Sequence, residues 1–149
     1  CKQDMQVYVG IGDMVMRLRD LEDSYEHAMV AYQLTKTAIA TNLLVYDELG
    51  VYKVLSDLRH EDTGEAFIRE VLGELIDYDE KEGADYLDIL KAFFENECSI
   101  VHTAQAMYCH KNTMNYKMNK VKEILGYDIM SNENRTRIMV ALYFLKMRG

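Results

Sequence analysis

The sequence predicts a mostly α-helical chain, with a small α+β portion at its start and a helical helix-turn-helix domain at its end. Three observations carry this prediction. The 149 residues include no proline and are rich in Leu, Met, Ala, Glu and Lys, which favour helix. Strand-like patterning is confined to two short runs near the start, and after Gly83 every periodic segment is helical. Charge is also unevenly shared. Residues 1–97 hold nine basic and 22 acidic side chains, net −13, whereas residues 98–149 hold eight basic and three acidic, net +5. An acidic body joined to a basic C-terminal third implies two modules with different partners, the basic one suited to a polyanion.

Composition narrows the class further. An apolar content of 49% is enough for a packed core and argues against disorder. No apolar run approaches a membrane span and no signal peptide is visible, so the expectation is a cytoplasmic chain away from membranes. Cys1, Cys98 and Cys109 form no CxxC pair, and an odd count reads as reduced thiols. The chain opens at Cys1, almost directly in a strand-like run, as a fragment of a longer protein would.

The elements follow in order. "MQVYVGIG" (Met5–Gly12) alternates around Val7 and Val9 and ends in glycines, predicting a short strand and a turn. Residues 18–41 place Leu21, Tyr25, Ala28, Tyr32, Thr35 and Ile39 at helical spacing. "LLVY" (Leu43–Tyr46) reads as a second strand and Leu49–Leu58 as a short helix. Residues 61–83 give a helix with Phe67, Val71, Leu72 and Leu75 on one side. Its charged end, Asp77–Gly83, is the best linker candidate. Residues 84–97 carry Leu87, Leu90 and Phe94 as a stripe. Ser99 then caps a short helix with Ile100, Ala104 and Met107 on one face. In Lys111–Leu125 the apolar residues Met114, Met118, Val121 and Leu125 cluster on one side, and Gly126 ends the helix. A last helix, 132–148, turns Ile138, Leu142 and Leu145 inward. Three regions are expected: 1–60, an α+β portion; 61–83, a helix and charged linker; and 84–149, the helical domain.

Two short helices joined by a few residues form a helix-turn-helix, whose second helix enters the major groove of DNA. Opposite the apolar stripe of the second helix lie Asn112, Tyr116, Asn119 and Lys120. Lys111, Asn115 and Lys122 flank one side, Thr113 and Lys117 the other, and His110 starts the helix. Asparagine can bond adenine N6 and N7 together, and lysine neutralises phosphate. A helix N-terminus favours an anion as well. Tyr108 occupies the turn position where glycine is common.

The stretch "CSIVHTAQAMYCHKNTMNYKMNKVKEILGYDI" resembles the C-terminal helix-turn-helix of the PucR/CdaR family of bacterial transcription regulators. Ser99, Ile100, Thr103, Ala104, His110, Asn112, Thr113, Tyr116, Glu123, Leu125 and Gly126 carry the resemblance, with near replacements at Met107, Lys111, Lys117, Met118 and Val121. The flanks "YLDILKAFFENECS" and "RTRIMVALYFLKMR" are similar to the family's neighbouring helices. Residues 7–55 resemble the last strand–helix–strand of the family's GGDEF-like domain, less specifically, and the cyclase signature itself is absent. The resemblance implies a winged-helix or Fis-like helical domain that binds double-stranded DNA. It also implies a small-molecule effector sensed upstream and no catalysis. No cofactor is expected, and because many helix-turn-helix proteins bind DNA as dimers, a homodimer is. Family arginines are lysine or asparagine here. Losing the bidentate fork to guanine shifts the expected base preference toward A·T.

Rival readings are weaker. Cys98, His102, Cys109 and His110 match no common zinc spacing, so no metal is expected. The acids Asp77, Asp79, Glu80 and Glu82 read as a solvated run, and no nucleophile elbow, P-loop or metal triad suggests an enzyme. The runner-up is a helical protein-interaction or dimerisation module, in which the lysines are merely solvated.

Overall fold

The computed structural model describes residues 6–37, 41–58 and 62–147. Cys1, Met5, Ile39 and Arg148 lie outside them. Two strands and seven helices follow in order among the described residues: β1 (Val9–Ile11), α1 (Leu21–Thr35), β2 (Leu43–Val45), α2 (Val51–Leu58), α3 (Asp62–Glu82), α4 (Tyr86–Glu95), α5 (Ile100–Ala106), α6 (Lys111–Leu125) and α7 (Asn132–Met147). The chain divides into two compact units. One comprises Cys1–Glu65 with Tyr143–Gly149, the other Ala66–Leu142.

In the first unit β1 and β2 pair in parallel, with Val9 opposite Leu43 and Ile11 opposite Val45, and α1 makes the crossover. A parallel pair needs such a crossover, because a tight turn cannot reverse the chain twice. Glycine decides how α1 docks. A Cβ on Gly10 would run into the backbone of Ala28 and Tyr32, and one on Gly12 into that of Ser24. The helix therefore turns its small residues to the strand and buries Ala31, Leu34 and Thr35. The expected stripe is corrected: Leu21 is 55% and Tyr25 65% exposed, because the buried face is rotated by roughly 100° from theirs. Tyr143 joins this unit through an edge-on ring contact with Tyr52, centroids 5.1 Å apart.

The second unit is wholly helical. α3 contributes Ile68, Val71, Leu72 and Leu75, α6 the four residues Met114, Met118, Val121 and Leu125, and α7 Ile138, Ala141 and Leu142, all buried. Each of these side chains but Ala141 stabilises by about 1.5–3 kcal/mol on leaving water. In α3 the buried neighbour is Ile68, with Phe67 half-buried. In α4 the stripe Leu87–Leu90–Phe94 is corrected to Ile89, Leu90 and Phe93. Leu87 and Phe94 are half-buried, because helices pack on α4 from more than one side. In α5 the buried pair is Thr103 and Ala104, with Ile100 and Met107 half-buried. Thr103 is accommodated by donating its hydroxyl to the Ser99 carbonyl at 2.7 Å. Leu145 is half-buried and Phe144 buried in its stead.

The charged run Asp77–Glu82 is also corrected: it is helix, the last turns of α3, and Gly83 at φ 63° ends it. No residue before Gly83 breaks helix, and the Asp79 carboxylate serves a structural purpose. It accepts hydrogen bonds from the Tyr86 and Leu87 amides at 3.1 and 2.8 Å, capping α4 from the preceding helix.

The turns around α5 hold non-glycine residues in left-handed conformation: Glu97 and Cys98 before it, and Tyr108 at φ 51° after it. Such a conformation costs an L-residue about 1 kcal/mol. Tyr108 is 98% exposed, so its ring has no burial to lose. Tyr108→Gly is expected to stabilise the fold by about 0.5–1 kcal/mol. A higher urea midpoint at unchanged slope is the check, and an equal or lower midpoint would contradict the strain.

Candidate nucleic-acid interface

α5 and α6 form the helix-turn-helix, joined by Met107–His110. Ser99 caps α5 by accepting from the His102 amide at 3.3 Å. His110 caps α6, its ring Nδ1 accepting from the Asn112 amide at 3.2 Å. Gly126, at φ 72°, closes α6 with its amide donating to the Lys122 carbonyl at 3.0 Å. Small, buried Ala104 lies on the α5 side of the motif. These local devices fix the limits of α6, and the buried Met114–Met118–Val121–Leu125 stripe fixes its rotation.

That rotation leaves His110, Lys111, Asn112, Thr113, Asn115, Tyr116, Asn119 and Lys122 exposed, while Lys117 and Lys120 are half-buried. The ten residues picked out in the sequence therefore do not form one equivalent set. Lys117 Nζ reaches both oxygens of Asp85, at 3.2 and 3.3 Å. Lys120 Nζ bonds the Glu123 carboxylate at 3.1 Å and lies 5.7 Å from the centre of the Tyr78 ring. Its hydrogen bond to Glu123 holds the Lys120 ammonium above its ordinary pKa. Burial likewise raises the pKa of Tyr86, helped by the nearby Tyr116 and Tyr78 hydroxyls. One edge of α6 is thus engaged by α3 and the start of α4. Among the described residues Lys111 and Lys122 make no ion pair, and they lie along the opposite edge. Sequence reasoning missed Asp85 and Tyr78. Neither shows any local signal, since Asp85 stands 32 residues from the lysine it holds.

No three His, Cys, Asp or Glu side chains among the described residues gather as a metal site. No helix among them is long and apolar enough to cross a membrane.

Comparison with known proteins agrees with this geometry. Residues 86–144 match the PucR C-terminal helix-turn-helix domain. The chain is 30% identical over 137 residues to the purine catabolism regulatory protein of Bacillus subtilis, covering 91% of this chain and 25% of that protein. It is 24% identical over 144 residues to the proline-responsive transcriptional activator PutR of the same organism, covering 95% of this chain and 35% of PutR. It is 29% identical over 138 residues to the transcriptional activator PmfR of Paenarthrobacter nicotinovorans, covering 92% and 28%. The chain thus spans about a quarter to a third of the length of these curated relatives. No solved structure matches. Residues 86–144, from α4 into α7, are thus similar to the PucR C-terminal helix-turn-helix domain, and the relatives that the chain resembles bear the names of transcription regulators.

Proposed function

We propose that this chain binds double-stranded DNA with α6 in the major groove and supplies the operator-reading part of a PucR/CdaR-type regulator. The observation that carries the reading is the exposed side of α6. It presents carboxamides and unpaired ammonium groups with Glu123 as its one acid, whereas acids outnumber bases in the chain as a whole. Asn112, Asn115, Tyr116 and Asn119 face base edges, His110 and Thr113 sit by the helix start, and Lys111 and Lys122 hold phosphates. Lys117 and Lys120 join them only by giving up Asp85 and Glu123.

The finer parts of the reading rest on narrower support. The parallel β1–α1–β2 unit supports residues 1–60 as the end of a GGDEF-like domain, with 84–149 as the DNA-binding domain. Similarity to the relatives also extends over most of the chain, upstream of the helix-turn-helix match. Operators read by helix-turn-helix dimers have half-sites one helical turn apart, and a homodimer is proposed on that ground. An effector sensed outside this chain, a cytoplasmic location and a non-enzymatic role complete the reading.

The test is fluorescence anisotropy of the whole chain with labelled duplex DNA across a salt series. Lys111 and Lys122 alone predict a slope of about −2 in log affinity against log salt, at ~0.9 per phosphate. No binding at low salt by a chain that circular dichroism shows to be folded would reject the reading in favour of a helical interaction module.

A further inference from the structure

The exposed side of α6 has one repeated chemical group. At ~100° per residue, Asn112, Asn115 and Asn119 fall within about 60° of one another, a single row along the helix. All three are exposed, and among the described residues none of their carboxamides has a hydrogen-bond partner. Lys117 is drawn to Asp85 at the far edge, and Lys120 pairs with Glu123, an exposed acid beside Asn112, so the row itself keeps its carboxamides open. At ~1.5 Å rise per residue the row spans about 10 Å, close to three base-pair steps of ~3.4 Å.

Resting on the DNA-binding reading above, we infer that this row reads adenines, so that the centre of each half-site is a run of A·T pairs about three long. A carboxamide offers one donor and one acceptor side by side, matching adenine N7 and N6 in the major groove. Guanine presents two acceptors there and is best met by the arginine fork, yet 111–125 contains no arginine. The one acid, Glu123, is engaged by Lys120 and is not free to accept from cytosine. Tyr116, 68% exposed and one residue past Asn115, places an apolar ring where a thymine methyl would lie.

The test has two steps, both with the whole chain. First, duplexes are selected from a library with a randomised centre. A recurring A·T run supports the inference, and a G·C-rich centre overturns it. No retained duplex at low salt would overturn the DNA-binding reading itself, and this inference with it. Second, each adenine of the selected run is replaced by 7-deazaadenine, which keeps the pairing and removes only N7. At least one position is expected to lose about three- to tenfold in affinity, and that loss should vanish in Asn115→Ala or Asn119→Ala. Full affinity at every deaza position would overturn the direct contact.

Discussion

Met118→Asp is expected to remove the helix-turn-helix altogether. Met118 is 2% exposed, between Met114 and Val121 on the buried side of α6, both 0% exposed. The substitution forfeits about 2–3 kcal/mol of apolar burial. It also puts a carboxyl among apolar side chains, where it takes up a proton rather than stay charged, at a further cost of about 2–3 kcal/mol. The total, about 4–6 kcal/mol, rivals the whole stability of many single domains. Urea unfolding followed by circular dichroism should show a collapsed midpoint or no folded baseline. Asn119→Asp is the control. It places the same side chain one residue along on the exposed side and should stay within about 0.5 kcal/mol of the parent. If the two variants unfold alike, the rotation assigned to α6 is wrong.

The largest effect on binding is expected from Lys111→Glu with Lys122→Glu. Two phosphate contacts are lost and replaced by repulsion, roughly 2–3 kcal/mol in all, or about 30–150-fold at ~0.15 M salt. The salt slope should flatten by about two, and all duplexes should weaken together, because phosphate contacts carry no sequence information. The fold should be untouched, since neither lysine makes an ion pair among the described residues. Lys117→Ala and Lys120→Ala should each do less, because their charges are already balanced within the protein. An undiminished affinity in the doubly reversed chain would take both lysines off the DNA.

What could be read in the sequence was what is encoded locally. The limits of α6, its buried stripe, the Ser99 and His110 starts and the Gly126 stop each depend on residues within one or two turns. The faces of α1 and α4 were not legible, because a partner chooses them. Glycines on β1 select the small-residue side of α1, and packing from several sides widens the buried face of α4. The run Asp77–Glu82 has the composition of a linker, but its Asp79 is a cap for a helix seven residues away, which composition does not register. Within the candidate interface the ten residues were legible by period alone. Their division into open and occupied groups was not, because Asp85 lies far along the chain from Lys117.

The left-handed residues on either side of α5 have a dynamic consequence. Glu97, Cys98 and Tyr108 each relax when the seven-residue helix between them opens. At about 1 kcal/mol apiece, the three together lower the free energy of that opening by ~3 kcal/mol relative to unstrained turns, roughly a hundredfold in the population of the opened form. The α5 amides should then exchange with deuterium before those of α4 and α6, making α5 the first part of the motif to yield. Glycine at any of the three positions would act as a dial on this local unfolding, slowing exchange in α5 without altering any side chain that α6 presents.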